Sequence, residues 1–274
     1  RRSTNVQGIE DRVVGVLFGL AAGDRIGGPV RMALSVAESL RDRGTFDRDD
    51  IGARYLKWWR EGGFDTGPIA AQVLELGSKG IPLEEAAKRV DTIAGGLTAG
   101  CNPAHRSGPL AMLSAIDDSR LDSAAKAEAC LTHRHALAGD VAAVVVTTSR
   151  ALIRGVPWEA ALDQAAAGRL EETRRAVADR RTSGLSRGGF APDVLRAAIV
   201  FVHTSPSFSI ALARSVDFAG ASNYSPVLVG SIGGARWGRS AIDEGAFAHH
   251  ASLLPRLRSV ATDLAGGWTG WGCR

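Results

Sequence analysis

The segment that decides the fold reads VVGVLFGLAAGD over residues 13–24 and has the pattern of a tightly packed helix. Its apolar side chains recur three and four residues apart, as at Val16 and Leu20, which is the spacing of one helix face. Gly15 and Gly19 lie four residues apart among them and carry no side chain that would keep a neighbouring backbone away. The segment therefore predicts a helix that packs closely against a second helix.

The same periodicity runs through the rest of the chain, whereas strand patterns are almost absent. The only β-branched run, residues 144–148, sits inside an alanine-rich helical pattern, and no period of 20 to 50 residues repeats. We therefore predict an all-α fold, a single globular orthogonal helical bundle formed by one domain over residues 1–274. The further helices are expected at residues 32–40, 51–59, 67–78, 83–94, 108–117, 122–131, 137–154, 157–167, 169–182, 192–203, 208–217, 225–236 and 251–265.

Composition and charge exclude several classes of protein. Apolar residues make up 45% and charged residues 23% of the 274 residues, which is typical of a globular domain and not of a disordered chain. The net charge of +4 comes mostly from scattered arginines, many of them paired at helical spacing as in Glu171 and Arg175. We therefore expect a solvated surface and no nucleic-acid partner, and a phosphate-bearing small-molecule ligand is compatible with this charge. Nothing in the pattern indicates an oligomeric state.

Localisation and redox state follow from two further features. Asp24 and Arg25 end the early apolar run before it is long enough to cross a bilayer, so we expect no membrane association. Cys101, Cys130 and Cys273 are too widely spaced for a disulfide framework or a Cys-x-x-Cys metal site, and they fit a reducing compartment. The sequence thus predicts a cytoplasmic protein.

Two aspartates stand at predicted helix ends. Asp24 and Gly27 lie in the turn after the first helix, where a carboxylate and backbone N–H groups can meet a ligand; a plain helix cap explains the turn equally well. Asp65 and Thr66 precede a predicted helix, so Asp65 can be an ordinary N-cap. Alternatively its carboxyl is a general acid, if burial beside Trp58 or Phe64 raises its pKa.

A dense polar cluster lies between residues 100 and 110. Asn102, His105 and Arg106 are flanked by two prolines, which stiffen a segment that we expect to be a loop before the next helix. Arg106 can hold a phosphate through two hydrogen bonds, and His105 can bond a sugar or phosphate oxygen. These residues predict a preformed binding site, with a purely structural loop as the alternative.

Two later segments add candidate binding groups. His133 stands two residues before His135, so the two cannot share a helix face and do not form a metal pair at helical spacing. A buried, hydrogen-bonded histidine is the alternative interpretation for either. Polar side chains then precede a small-residue helix, where free N–H groups favour an anion or a sugar hydroxyl. They are Ser222, Asn223, Tyr224 and Ser225.

Taken in order, these segments resemble the ADP-ribosylglycohydrolase family, in particular its dinitrogenase-reductase-activating type, over nearly the whole chain. The family's glycine-rich first helix is similar to Gly15-x-x-x-Gly19-x-x-x-Gly23-Asp24-x-x-Gly27. Residues 31–34 resemble the segment after its first acidic motif, and residues 102–110 its Asn-Gly-x-x-Met-Arg-x-x-Pro-Leu element. Residues 132–133 resemble its Thr-His pair, and residues 219–238 its closing element, which ends in Gly-Ala-Arg-Tyr-Gly.

The resemblance implies two magnesium ions, held by a Thr-Asp-Asp-Thr motif and a later Asp-Thr-Asp motif. Mg²⁺ needs several carboxylate or water ligands, but here the first motif falls on residues 27–30 and the second on residues 221–223. Ala221 and Asn223 stand where the family has aspartates, and a loop expected between Pro29 and Val30 is missing. We therefore expect degenerate metal motifs, with no metal ligand assigned and no cofactor required.

Three functions are compatible with this departure. The chain can be a metal-free glycosidase or lyase for an ADP-ribosyl or other N-ribosyl compound, with Asp24 or Asp65 as general acid/base. It can be a non-catalytic protein that binds ADP-ribose or a related nucleotide. It can also be a structural relative of the family, as lens crystallins with this fold are. The polar groups retained at the motif positions favour a ligand over a structural role, and we expect an N-glycosidase. They are Asn102, His105, Arg106, His133, Asn223 and Tyr224.

Overall fold

A computed structural model describes residues 2–269, with side chains from residue 8 onward. In that part of the chain 14 α-helices and three short 3₁₀ segments form the fold, and the only β pairing is an isolated bridge between Gly100 and Phe190. The all-α prediction is thus confirmed. The helices are α1 Arg2–Gly23, α2 Gly28–Arg43, α3 Arg48–Arg60, α4 Pro68–Ser78, α5 Leu83–Ile93, α6 Asn102–Arg106, α7 Asp118–Ala129, α8 Ala136–Ile153, α9 Trp158–Ala166, α10 Glu171–Ala178, α11 Ala191–His203, α12 Phe208–Ala219, α13 Tyr224–Trp237 and α14 Leu254–Gly266.

The closest helix contact joins α1 to α13 and is made by backbone atoms. A Cβ atom built on Gly19 would lie 2.1 Å from the carbonyl oxygen of Gly230, and one on Gly234 would lie 1.9 Å from that of Gly15. These separations are too short for any side chain, so each glycine is required by the approach of the other helix. The predicted close packing of the first helix is confirmed, with α13 as its partner.

Helix α8 runs through the centre of the molecule. It is long and apolar enough to resemble a membrane span, with a mean hydropathy of 1.5, but 89% of that stretch is buried inside the protein. Asp140 and Arg150 interrupt it, and Arg150 donates to the carbonyl oxygens of Ala111 and Leu113. Helix α8 is therefore a core helix of the protein.

The predicted helix at residues 108–117 is the clearest error. A 3₁₀ segment covers Gly108–Ala111 and turns follow it, with α7 beginning at Asp118. Conversely, residues 102–106, which we expected to be a loop, form α6. Pro103 and Pro109 each stand near the start of a short turn of helix, where a missing N–H costs nothing. The prolines thus divide this segment into two short pieces.

The turn after the first helix leads directly into α2. Gly28 begins α2, and Gly27 precedes it with a φ of +126°, a backbone conformation that side chains rarely adopt. Helix α2 continues without a break through Pro29 and Val30, where the resemblance implied a loop. The first helix and α2 are therefore joined by a four-residue turn that contains Asp24.

Candidate functional site

A cavity of about 590 Å³ lies where α2, α4, α6 and α13 begin. The structure brings predicted site residues from four separate segments together on its wall, although Asp65 and Tyr224 lie 159 positions apart in the chain. Asp24, Gly27, Arg106 and Ser225 are not on that wall. The predicted residues that line the cavity are Asp65, Thr66, Asn102, His105, His133, Ser222, Asn223 and Tyr224.

Asp24 lies beneath the cavity and is completely buried. Its Oδ1 accepts hydrogen bonds from the backbone N–H groups of Ile26 and Gly27, at 3.0 and 2.7 Å, and from Nδ2 of Asn223 at 2.7 Å. Its Oδ2 accepts from the N–H of Val30 at 2.8 Å. The carboxylate therefore holds the turn after α1 and the first turn of α2 in place, and Gly27 contributes an N–H to it.

The main-chain carbonyl of Asp24 is held by two histidines that sequence reasoning did not single out. Nε2 of His249 lies 2.7 Å and Nε2 of His250 lies 2.5 Å from this oxygen. Both histidines belong to the 3₁₀ segment Glu244–Leu253. Because more than 220 residues separate them from Asp24, no local pattern could have revealed this contact.

Asp65 is the carboxylate that reaches the cavity. Its φ of +54° is unusual for a residue with a side chain, although aspartate tolerates this region better than most. Oδ2 accepts from the N–H of Gly28 at 3.1 Å and from Nδ2 of Asn223 at 3.0 Å. Burial, with a further contribution from the nearby charge of Asp24, raises the pKa of Asp65 above its usual value. The N-cap interpretation was wrong, because Gly67 occupies that position of α4.

Asn223 lies between the two aspartates. Its Oδ1 accepts the backbone N–H of Arg25 at 3.0 Å, so its Nδ2 group points at Asp24 and Asp65 and donates one hydrogen bond to each. A neutral amide thus bridges two acidic side chains that would otherwise repel each other. Among the side chains that the structure describes, no three His, Cys, Asp or Glu residues come close enough to hold a metal ion.

Arg106 is held below the cavity wall by a buried acidic partner. Its side chain is 0% exposed and donates to Oε1 of Glu128 at 2.7 Å, while Tyr55 donates to the same oxygen at 2.6 Å. A further guanidinium nitrogen donates to Oδ1 of Asn102. Arg106 therefore orients Asn102, which does line the cavity, and does not itself reach a phosphate there.

Two buried histidines stand on the cavity wall in their neutral form. Burial lowers the pKa of His105 to about 4 and that of His133 to about 3. Nδ1 of His133 pairs with the hydroxyl of Thr132 at 2.9 Å. Nε2 of His105 is buried and has no partner among the described residues. His105 therefore offers an unpaired nitrogen beside the cavity, and its ring stacks against Tyr224.

The remaining predicted residues differ in how directly they face the cavity. Thr66 and Ser222 line it, and the hydroxyl of Ser222 accepts the backbone N–H of Tyr224 at 3.1 Å. Ser225 is buried behind them, and its hydroxyl has no hydrogen-bond partner in the described structure. The free thiol of Cys101 also lines the cavity, where burial raises its pKa to about 12. Cys273 lies outside the described residues.

The described residues form an all-helical protein with a cavity next to two carboxyl groups that Asn223 joins, and pairs of carboxyl groups are the residue type that glycoside hydrolysis uses. The family model described as ADP-ribosylglycohydrolase matches residues 5–272, and the chain belongs to that family. A solved structure titled "ADP-ribosylglycohydrolase-related protein complex" is similar with a TM-score of 0.79 and 25% identity, over 96% of this chain and 99% of that one. A search of curated proteins found no match.

Proposed function

We propose that this protein cleaves the N-glycosidic bond of a ribosyl compound, either ADP-ribosyl or another N-ribosyl group, with Asp65 as general acid. The family supports glycohydrolase chemistry. The observation that carries the assignment to Asp65 is its position: it is the carboxyl group on the cavity wall, and its pKa is raised by burial. A raised pKa increases the fraction of the carboxyl that is protonated at a given pH, and proton donation to a leaving group requires the protonated form.

Hydrolysis of the N-glycosidic bond needs one acid group and one water molecule. Asp65 donates its proton to the nitrogen of the leaving group while the bond from ribose C1′ to that nitrogen breaks. Water then adds its oxygen to C1′, and its released proton returns to Asp65. Because Oδ2 of Asp65 accepts hydrogen bonds from Gly28 and Asn223, we assign the transferred proton to Oδ1.

Asp24 is the less suitable acid, although the sequence pattern made it an equal candidate. All four of its hydrogen bonds come from protein N–H groups, and it is completely buried. Both oxygens are therefore engaged by the protein, and Asp24 does not line the cavity in which a leaving group would lie. We therefore assign Asp24 a positioning role: it fixes Asn223, and through Asn223 the carboxylate of Asp65.

The side chains of Asp24, Asp65 and Asn223 do not form a set of ligands that fits magnesium. Mg²⁺ needs oxygen ligands in octahedral geometry, but Asn223 directs N–H donors toward both aspartates, and its own oxygen is occupied by Arg25. Ala221, at the other position where the family has an aspartate, offers no side-chain ligand. We therefore propose metal-free cleavage and derive no step through a metal.

The other lining residues are suited to holding the ribose. Asn102 is oriented by Arg106 through its oxygen, so its amide nitrogen is left to donate to a sugar hydroxyl. His105 and His133 are neutral and can accept a hydrogen bond from a hydroxyl at an unprotonated nitrogen. Thr66 and Ser222 supply further hydroxyl groups on the cavity wall.

The proposal is tested by following release of the base or other leaving group from N-ribosyl compounds by chromatography. Wild-type protein and the Asp65→Asn variant are each assayed with Mg²⁺ and with EDTA. We expect equal wild-type rates in both, and a loss of at least about 100-fold in Asp65→Asn, the usual contribution of a general acid. A wild-type rate that disappears in EDTA would overturn the metal-free mechanism.

A binding protein without activity is the alternative that this assay separates. It would bind ADP-ribose with the same affinity in wild type and in Asp65→Asn, and release no product in either. Loss of both binding and cleavage for every N-ribosyl compound would instead favour a structural relative. The lining set of eight predicted polar or aromatic residues supports a ligand-binding function over that last alternative.

A further inference from the structure

The cavity wall has a charge composition that is unusual for a nucleotide site. None of the described residues that line it is lysine or arginine. Two nearby arginines make contacts with the protein itself. Arg25, in the turn after α1, donates to the carbonyl oxygens of Gly220 and Ser222. Arg31, in the first turns of α2, donates to the carbonyl oxygen of Gly27 and lies over the ring of Phe64. A phosphate group bound here would therefore lack the cationic partner that usually binds it.

Backbone N–H groups at helix starts are the other common phosphate donors, and here the protein's own carboxylates use them. The N–H groups of Ile26, Gly27 and Val30 donate to Asp24, and that of Gly28 donates to Asp65. The starts of α13 and α4 add little. Tyr224 N–H donates to Ser222, and Pro68 at the start of α4 has no N–H.

The upper wall of the cavity is instead aromatic and apolar. Phe190 and Tyr224 line it with 43% and 39% of their surfaces exposed, and Leu97 stands at its rim with 84% exposed. Gly189 is packed against the Tyr224 ring, because a Cβ atom there would lie 3.2 Å from the ring. Such exposed, positioned rings provide stacking surfaces for a planar heterocycle.

A third observation concerns the polar group nearest to these rings. Nε2 of His105 is buried without a partner, and the His105 ring stacks on Tyr224 at a centroid distance of 6.4 Å. An unpaired buried polar atom is costly unless a ligand satisfies it. Because His105 lines the cavity, a hydrogen-bonding group of a ligand next to this ring pair, such as the amine of a base or a ribose hydroxyl, would satisfy that nitrogen.

From these observations we infer that the substrate is an unphosphorylated ribonucleoside whose planar base stacks between Phe190 and Tyr224, and that 5′-phosphates are disfavoured. This inference rests on the proposed function, since it names the substrate class of the same site. The reaction is then hydrolysis of a ribonucleoside: the bond from C1′ to the base nitrogen breaks, water supplies a hydroxyl to C1′, and the base leaves with a proton.

The experiment compares substrates that share one glycosidic bond. Adenosine, AMP and ADP, and the corresponding inosine series, are supplied to the wild-type protein, and base release is measured. We expect kcat/KM to fall at least about 100-fold on addition of the 5′-phosphate, because a dianion beside Asp65 has no compensating cation. Equal or faster cleavage of the nucleotides would overturn the inference.

A second experiment adds a positive charge at the cavity and compares it with the same charge added away from the cavity. Leu97→Arg adds a cation at the cavity rim, and we expect it to narrow the preference for nucleoside over nucleotide at least about tenfold. Ile93→Arg adds the same charge at a comparably exposed apolar position that is not part of the cavity wall, and it should leave the ratio within about twofold of wild type. Equal effects of the two variants would contradict the assigned position of the phosphate.

Failure of the proposed function is distinguished by binding measurements. Dissociation constants for adenosine and ADP are measured by calorimetry with Asp65→Asn, in which turnover is expected to be slowed at least about 100-fold. If the wild type cleaves neither compound and the variant binds adenosine more tightly than ADP, the hydrolase proposal is overturned and the ligand preference is supported. Tighter binding of ADP, or binding of neither compound, would overturn the ligand preference.

Discussion

The two ends of one helix pair behave differently in this molecule. Along their length, α1 and α13 meet backbone to backbone through glycines such as Gly19 and Gly230, with no side chain between them. At the cavity end, the same two helices meet through side chains, where Asp24 follows α1 and Asn223 precedes α13 and the two are hydrogen-bonded at 2.7 Å. The glycine contacts determine the distance between the two helices. The hydrogen bond at the cavity end determines how the polar side chains of the site are oriented.

The difference indicates how the fold positions the site. The glycine contacts leave almost no freedom in how α1 lies against α13. The positions of Asp24 and Asn223, at the ends of these helices, are therefore fixed as well. Asn223 can then hold Asp65, which comes from a third segment. A change in the glycine region should therefore act mainly on stability, whereas a change at the cavity end should cost less stability and should also act on activity or on the response to pH.

The largest effect on stability is expected from a single added methyl group. In Gly234→Ala the new Cβ atom would overlap the carbonyl oxygen of Gly15, at 1.9 Å. The helices must separate, and we expect a loss of about 3 kcal/mol in the free energy of unfolding, at the upper end of overpacking effects. Urea denaturation of wild type and variant measures this difference in the free energy of unfolding.

The matched control is Gly266→Ala, a glycine at the end of α14 whose Cβ position is open. Replacement there removes only the flexibility of glycine, so stability should stay equal or rise slightly. If both variants were equally stable, the contact between α1 and α13 would not be the rigid element that we describe.

A smaller loss of stability is expected at the cavity end. Asp24→Asn replaces the acceptor of four hydrogen bonds by a neutral amide, and at least one N–H group would then lack an acceptor. We expect a loss of about 2 kcal/mol in the free energy of unfolding, typical of hydrogen bonds to a charged group. Asp65→Asn, at a half-buried carboxyl, should lower activity while changing stability by much less. Equal destabilisation by the two variants would remove the distinction between a positioning and a catalytic aspartate.

The response to pH gives the smallest effect. Burial lowers the pKa of His105 from 6.5 in an unfolded chain to about 4, so below pH 6.5 the unfolded state binds a proton that the folded state does not. Stability is therefore complete above pH 6.5 and falls as the pH drops toward 4. Between pH 6 and 5, His105→Gln should reduce the slope of the free energy of unfolding against pH by about 1 kcal/mol per pH unit.

Measurement of the free energy of unfolding against pH checks this expectation. Above pH 7 His105 is neutral in both states, so the curves for wild type and variant should run parallel there. His133, whose pKa is lowered to about 3, extends the decline to lower pH in both proteins. Curves that stay parallel at all pH values would show that His105 is not buried in its neutral form.

The glycine region was more accessible to sequence reasoning than the cavity end. The four-residue spacing of Gly15 and Gly19 is a local pattern, and it predicted close packing correctly, as helical periodicity predicted most helices. The error at residues 108–117 arose because apolar spacing alone does not separate a helix from successive short turns started by Pro103 and Pro109.

The site was predicted only at the level of residue types. Polar residues in helix-flanking segments indicated binding, and eight of them share the cavity wall. Which partner each one meets depends on contacts between distant segments: Arg106 with Glu128, and Asp24 with His249 and His250. Sequence spacing carries no information on such contacts, so Arg106 was expected at the ligand although it is occupied beneath it.

The central claim is that the amide of Asn223 holds Asp24 and Asp65 together without a metal ion. The most direct test is a titration with Mg²⁺ that follows the melting temperatures of wild type and Asn223→Asp. A ligand that binds only the folded state raises the melting temperature. We predict no Mg²⁺-dependent rise for wild type and a clear rise for Asn223→Asp, in which three carboxylates meet. A Mg²⁺-dependent rise in wild type would contradict the account.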